Sequence, residues 1–565
     1  PDLEELGRGV PDTLRDLIEQ QVDSLDDADR LIVEAAAVAG VEASAAAVAA
    51  AADVPEADAE DALDRMARAG NVMSERGGEQ WPDGTLAGRY GFAHDLYRET
   101  IEDGLPAGRR ARMHLSVADR LESAFAGETE SRAAELAHHL LSARETARAV
   151  PHIRTAVERA LGRAAHREAL AMVDRGLEAI ADHAIEDERD ALEQMLLAPR
   201  GIALITTNGW GAPETIETFR RARELSERYS EPDELAAVLY GLAVVHEFRG
   251  EYTESAAVLR ERLELPGPEL RVESLELLAC SSFHRGQFDD SVQAAEEGLT
   301  NAAGAEPSPL LAAFGENAVV GCHLWSARAT WFLGKPDTAV EQAEEALVLA
   351  QDHSYGLAQA HLQMALVRQI RAEVAQARES ASESLRLAAE GGHGYQAAVA
   401  SVIRGWAAGM ESQGVDGVDE IISGINAHAE TGAVMDRPHY LGLLGEVHLT
   451  GNRPDEAESV LREAMASIDG DRPFFYEAEL RRLLAWALRA QGETEEAERT
   501  LRSALDAARR QAALGMELRI ASDRLAIEEG SADARRDVQA VLSRISEGHD
   551  TPDFLRAQEL VARAG

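Results

Sequence analysis

Six stretches of the chain repeat one order of polar, small and apolar positions. They are GEYTESAAVLRERL from Gly250, GQFDDSVQAAEEGL from Gly286, GKPDTAVEQAEEAL from Gly334, AEVAQARESASESL from Ala372, NRPDEAESVLREAM from Asn452 and GETEEAERTLRSAL from Gly492. The sixth position is always small, as Ser255, Ser291, Ala339, Ala377, Ala457 and Ala497, and the last is always Leu or Met. Seven residues before each start stands another small residue: Ala243, Ala279, Ala327, Ala365, Gly445 and Ala485. Fixed small positions on both sides of a turn predict two helices in close approach, with the terminal Leu or Met filling the seam to the next pair.

The starts are spaced by 36, 48, 38, 80 (two repeats) and 40 residues. That is somewhat longer than the roughly 34 of a strict tetratricopeptide array. A degenerate repeat carrying Trp406 and Ala407 belongs near Gly414, and weaker copies begin near Ala164 and Gly211. The expectation is about nine helical pairs from roughly residue 130 onward, as degenerate repeats over 126–230 and a tetratricopeptide-like solenoid over 231–550, followed by a C-terminal tail, 551–565.

Residues 11–125 follow another grammar. Pro11 and Asp12 open a helix reaching Leu25, Asp26 caps a second that ends at Gly40, and short helices follow near Ser44–Ala52 and Pro55–Ala69. The Gly-rich stretch NVMSERGGEQWPDGTLAGRYGFAHDL predicts two short strands around a hairpin, then a helix from His94. Helices followed by such a hairpin predict a small winged-helix-like domain, so the fold class is all-α: a helical-repeat solenoid behind that domain. Residues 1–10 read as a linker from a preceding domain, and a start at Pro1 reads as that of a fragment.

Composition narrows the function. The formal charge is −45, and arginine supplies every basic side chain except Lys335. Such a surface repels phosphate backbones. The helix a winged domain would offer to DNA, PEADAEDALDRMARAG, holds five acids against two arginines. Nucleic acid is therefore disfavoured as a partner. Cys280 and Cys322 show no metal spacing and read as reduced, buried thiols. No apolar run reaches membrane-span length, which excludes a membrane partner and predicts a cytoplasmic location.

Catalytic signatures fail one by one. Lys335 in LGKPDT lacks the glycine and the Ser or Thr of a phosphate-binding loop. His246 and Glu247 begin an H-E-x-x-H, but Gly250 occupies its last place. His138 and His139 are adjacent on a helix, about 100° apart, and cannot share a metal from that helix alone. Packing is the expected role for both. No metal site, catalytic residue or cofactor is expected in this chain. If the repeats curve as tetratricopeptide arrays do, Tyr240, Phe283, Arg328, Trp331, Arg482, Trp486 and Arg489 face a concave surface, as anchors for a protein, a peptide or a small inducer, or equally as filling between helices. Phe474, Phe475 and Tyr476 are expected to pack the last pairs.

The stretches VPDTLRDLIEQQVDSLDDADRLIVEAAAVAG, YGFAHDLYRETI, LPAGRRARMHLSVADRLE, AELAHHLLSA, APRGIALITTNGWGAPETIETFRRARELSERY, VIRGWAAGMESQG, FFYEAELRRLLAWALRAQGE and HDTPDFLRAQELV occur in an order that resembles the C-terminal half of bacterial signal-transduction ATPases with numerous domains. The resemblance is greatest to those fused to class III adenylate or guanylate cyclases, and ATPase-type transcriptional activators are more distantly similar. It implies a regulatory arm whose ATPase lies upstream in cis, ATP or ADP as that domain's cofactor, nucleotide-driven assembly into homo-oligomers, and His94 with Asp95 as a contact to bound nucleotide. The competing readings are a helix cap for His94, a DNA-binding regulator, a free-standing repeat adaptor, and an enzyme in its own right.

Overall fold

The computed structural model describes residues 12–70, 72–163, 165–209, 212–229, 232–266, 271–302, 317–468, 474–528 and 531–563. Pro11, the 1–10 linker and Gly211 lie outside them. The chain divides into two compact units, residues 1–203 and 204–565, rather than at the expected 125/126 and 230/231 boundaries. The first degenerate repeats share the front unit because Leu136 joins the apolar core of the preceding helices.

The first unit holds α1 (Asp12–Asp23), α2 (Asp27–Ala39), β1 (Glu42–Ser44), α3 (Ala45–Ala52), α4 (Glu56–Ala69), β2 (Met73–Gln80), β3 (Leu86–Phe92), α5 (Asp95–Gly104), α6 (Ala107–Ala124), α7 (Ala133–Ser142), α8 (Thr146–Gly162) and α9 (His166–His183), with α10 (Arg189–Asn208) running across the boundary. Asp26 caps α2 by accepting from the Asp29 amide at 2.8 Å. The two expected strands are present and antiparallel, and β1, which the sequence did not announce, adds to their edge in the order β1-β3-β2. The sheet does not alternate cleanly: Ala87 and Tyr90 are both buried although three residues apart, adjacent Glu75 and Arg76 are both exposed, and the register shifts between Glu75 and Gly78. Two of the five acids of α4 brace the hairpin. Glu60 accepts from the Gly88 amide at 3.1 Å and Asp64 from the Tyr90 hydroxyl at 2.6 Å.

The second unit continues with α11 (Pro213–Tyr229), α12 (Pro232–Phe248), α13 (Tyr252–Glu264), α14 (Arg271–His284), α15 (Phe288–Asn301), α16 (Ala318–Phe332), α17 (Pro336–Ala350), α18 (Ser354–Ile370), α19 (Val374–Gly391), α20 (Gly394–Glu411), α21 (Val418–Glu430), α22 (Arg437–Thr450), α23 (Pro454–Ala466), α24 (Glu477–Ala490), α25 (Thr494–Arg510), α26 (Leu514–Ile527), α27 (Ala532–Leu542) and α28 (Pro552–Arg563). Each of the six repeated stretches starts on a left-handed residue between paired helices, with φ from 53° at Asn452 to 90° at Gly492. The paired small positions are buried, and a Cβ added at Gly445 would lie 2.7 Å from Leu461 Cγ. Close approach at fixed small residues is thus the rule that builds the array. The expected tail at 551–565 instead carries α28, whose Phe554 and Ala557 are buried against α26 and α27.

The array coils until one turn meets the next. Val434 N donates to the Phe248 carbonyl at 2.9 Å, Phe475 N to the His284 carbonyl at 3.0 Å, and Arg519 Nη2 to the Ile370 carbonyl at 2.7 Å. Further on, Glu547 Oε1 accepts from the amides of Asp337 and Thr338. Consequently the first helices of the pairs are covered on both sides. One apolar core runs from Ile205 to Ile520.

Buried histidines tie this packing to pH. Burial lowers His428 to about 4 and His439 to about 3, and in the first unit burial, with His138 and His114 alongside, lowers His139 to about 3. Their folded-state values lie below the ordinary value of about 6.5, so the stability they contribute is complete above that pH and is lost as pH falls toward about 4. Urea midpoints should therefore drop between pH 7.5 and pH 5, before carboxylates protonate. Neither ring nitrogen of His428 has a hydrogen-bond partner, so His428→Leu should reduce that drop. An unchanged pH profile in His428→Leu would contradict the assignment.

Candidate functional site: a cavity inside the solenoid

The first helices of the pairs enclose a cavity of about 160 Å³ in the second unit. Tyr240 and Glu247 of α12, Cys280 of α14, Trp325 of α16, Tyr355, Gln359 and Gln363 of α18, Tyr395 of α20, and Asp436 and Tyr440 at the start of α22 line it. Helical spacing on each α-helix brings these side chains to one side, while the small residues of the opposite side meet the second helix of the pair.

The floor is a connected polar cluster. Glu247 accepts from the Ser281 hydroxyl, Cys280 Sγ lies 3.6 Å from Glu247 Oε2 and 3.5 Å from His284 Nδ1, and His284 Nε2 meets Asp436 Oδ1 at 3.1 Å. His284 Nδ1 also faces the Cys280 carbonyl at 2.9 Å, so both ring nitrogens point at acceptors. Tyr252 stacks on that ring with centroids 4.5 Å apart. Burial alone would raise Asp436, but the His284 ring and the Arg328 guanidinium, 3.7 Å away, outweigh it and hold the carboxyl well below its usual range. Glu247 is pushed up by burial, against the opposing pull of His284 and the two serine hydroxyls. Burial likewise raises the Cys280 and Cys322 thiols, as expected for free, unreactive cysteines.

Two acceptors remain available. Gln359 Oε1 and Gln363 Oε1 are buried on the cavity wall without a hydrogen-bond partner. Glu276 on the same wall accepts from Trp325 Nε1 at 2.7 Å.

Of the residues expected on an open concave face, Tyr240 lines this cavity. Phe283, Arg328, Trp331 and Arg482 are buried, and Trp486 and Arg489 are partly exposed. Phe283 is wholly buried, with its centroid 4.6 Å from that of Phe475 on the next turn. Arg328 lies over the Phe283 ring at 4.2 Å. Trp331 is buried beneath Arg519 beside a small crevice formed with Gly515 and Thr551. Arg482 is held bidentate by Glu479 and also by Asp523, and half-buried Trp486 donates to Asp523 at 2.7 Å. Arg489 is half-exposed on α24. Phe474, Phe475 and Tyr476 pack an earlier turn as well as the last pairs: Phe475 reaches Phe283, and Tyr476 sits 4.2 Å from His439. In the first unit, His94 caps α5 through Nδ1, which accepts from Leu96 N at 3.2 Å, and exposed Asp95 pairs with Arg98.

Comparison with known proteins places one repeat firmly. Residues 480–513, the α24–α25 pair, match the tetratricopeptide repeat family. No curated protein matches the sequence. Among solved structures, the chain is similar to a Rap protein complexed with competence and sporulation factor, at 15% identity and TM-score 0.45 over 64% of this chain and 98% of that one. It is similar to the apo quorum sensor NprR from B. thuringiensis, at 13% identity and TM-score 0.40 over 63% and 98%. A signal transduction ATPase with numerous domains, carrying a tetratricopeptide repeat sensor, from Pyrococcus horikoshii aligns over 87% of this chain at 10% identity and TM-score 0.34, and this chain spans 64% of its length. No helix of the described residues is long and apolar enough to cross a membrane.

Proposed function

We propose that the chain is the sensor arm of a signal-transduction ATPase and that it receives its ligand inside the solenoid rather than on an open face. The observation that carries this reading is the pair of partnerless amide oxygens, Gln359 Oε1 and Gln363 Oε1, on a cavity walled by aromatic rings and carboxylates. Buried acceptors without donors are rare in folded chains, and a concave, mostly apolar pocket with a few polar atoms is the usual form of a small-ligand site. Acceptors call for a donor, and aromatic faces favour a cation. The ligand is thus an amine or peptide N–H group on a small apolar body. About 160 Å³ is close to the roughly 150 Å³ that holds a benzene-sized group. One side chain or one small molecule fills it.

Occupation of the cavity would tie together the helices that line it and so favour one arrangement of the coil, which is how a ligand shifts an equilibrium. The front unit has the connectivity α2-β1-α3-α4-β2-β3, which we read as a winged helix that relays this change. Glu60 and Asp64 of α4 are committed to the hairpin and Asp58 and Asp61 add exposed negative charge, which favours packing over DNA contact. In this reading His94, whose Nε2 is not used by the cap, and Asp95 face the nucleotide of the upstream ATPase. A P-loop ATPase, with or without a cyclase, encoded before Pro1 would support the arm, whereas a native start near Pro1 would make the chain a free-standing repeat adaptor.

The ligand reading is tested by calorimetry with 2-phenylethylamine and short aromatic peptides against wild type and Val244→Phe, which enlarges a cavity-lining side chain. Binding by wild type that weakens at least tenfold in the variant, with circular dichroism unchanged, is the expected result. Equal affinity in the two proteins would place the ligand elsewhere.

A further inference from the structure

His114 on α6 and His138 and His139 on α7 converge in the first unit, where each offers one ring nitrogen and these atoms lie within 4.8 Å of one another. Their ring centroids are 5.1 to 5.5 Å apart. The adjacent pair cannot close on an ion from one helix, but a ring from a second helix supplies the missing direction. His114 Nδ1 faces His139 Nδ1 at 2.8 Å. Two nitrogens on one tetrahedral zinc ion are about 3.3 Å apart, given bonds of about 2.0–2.1 Å. Separating the rings by about half an ångström therefore admits the ion.

A carboxylate stands behind the triad. Glu102 Oε1 lies 3.4 Å from His114 Nε2, a buried nitrogen with no hydrogen-bond partner, and Arg98 anchors Glu102 Oε2 at 2.7 Å. A proton on Nε2, held toward Glu102, leaves the Nδ1 lone pair of His114 facing the other two rings. This is the carboxylate–histidine–metal arrangement that orients ligands at metal sites. His138 is exposed while His114 and His139 are buried, so an ion can enter from solvent and keep an open position there.

We propose that His114, His138 and His139 bind a divalent transition-metal ion of the zinc class, with Glu102 orienting His114. The ion joins α6 to α7 across the 3₁₀ turn Thr129–Arg132 and so fixes the junction between the hairpin-bearing segment and the first helical repeats. Neutral imidazoles are the ligands: the hydrogen now shared between His114 and His139 moves to the far nitrogen of His139, and no net proton is released.

The test uses the full chain without a polyhistidine tag, titrated with Co²⁺ and then Zn²⁺. Expected are one Co²⁺ per chain, the intense visible absorption of a four-coordinate site, and its loss on adding Zn²⁺. His138→Gln, at an exposed position, should weaken binding at least tenfold with an unchanged circular dichroism spectrum. Glu102→Gln should weaken it by about 10- to 100-fold, as removal of an orienting partner does. Weak six-coordinate absorption alone, as diffuse binding to this acidic surface would give, overturns the proposal. So does a four-coordinate spectrum that His138→Gln leaves unchanged.

Discussion

Asp523→Ala is expected to cost about 3–5 kcal/mol and to release the C-terminal helices, because it leaves an unbalanced positive charge in a buried network. Asp523 is fully buried; Oδ2 accepts from Arg482 Nη1 at 2.8 Å and from Trp486 Nε1 at 2.7 Å, and Oδ1 faces Arg556 of α28 at 2.6 Å. Arg482 is clasped by Glu479, and Arg519 joins Glu479 to Asp553. Three carboxylates thus balance three guanidinium groups. Deleting one carboxylate leaves Trp486 without its acceptor and Arg556 without its partner. Asp523→Asn, which keeps an acceptor but not the charge, should fall between wild type and Asp523→Ala. Urea unfolding gives the size of the loss, and hydrogen exchange over Pro552–Arg563 should rise first. Wild-type exchange in that helix alongside a loss under 1 kcal/mol would contradict the network's role.

The sign of the pH effect follows from the same carboxylates. Burial tends to raise Asp523 and Glu479, but the arginines prevail and both are held below their ordinary values. Their contribution is full above about pH 4 and fades as pH falls below it. It is therefore separable from the histidine effect, which begins at higher pH.

Much of this architecture was legible because it depends on local rules. The left-handed turns at Gly250, Gly286, Gly334 and Gly492 and the small residues at fixed offsets announce each helix pair. Asp26 announces the start of α2 as plainly. The closure of one turn on another was not legible, since it joins residues such as His284 and Phe475 that share no period. A signal did exist in α16. Its sequence AVVGCHLWSARATWF is apolar on nearly every side, and such a helix is buried all round. An open concave face could not have accommodated it. The site is hidden in the same way: Gln359, Gln363 and Glu247 are polar residues on helices that are otherwise buried, and they lie together only because α12, α18 and α22 enclose one cavity. The His114 triad is hidden in the sequence for a related reason. His138 and His139 share one helix, and the completing ring is 24 residues away from the nearer of them.

Asp436→Asn is expected to destabilise the second unit by about 3–5 kcal/mol, and Arg328→Met combined with it should recover most of the loss. Asp436 takes a left-handed backbone, φ 60°, which Asn tolerates as well as Asp, so the substitution changes charge and leaves the turn intact. Arg328 is 2% exposed and rests against Phe283, Trp325 and Phe475, with Asp436 as its anionic neighbour. Without that carboxylate, Arg328 loses its counter-charge at the floor of the cavity, and His284 Nε2 faces a neutral amide in its place. Methionine at 328 removes the unbalanced charge and can fill the space among three rings. Urea midpoints of the two single variants and the double variant form a cycle whose coupling should exceed 1.5 kcal/mol; additive losses would mean that the pair is independent. The double variant also separates stability from recognition. If an amine ligand owes its affinity to the Gln359 and Gln363 oxygens, binding survives in the refolded double variant, whereas dependence on the Asp436 carboxylate would abolish it.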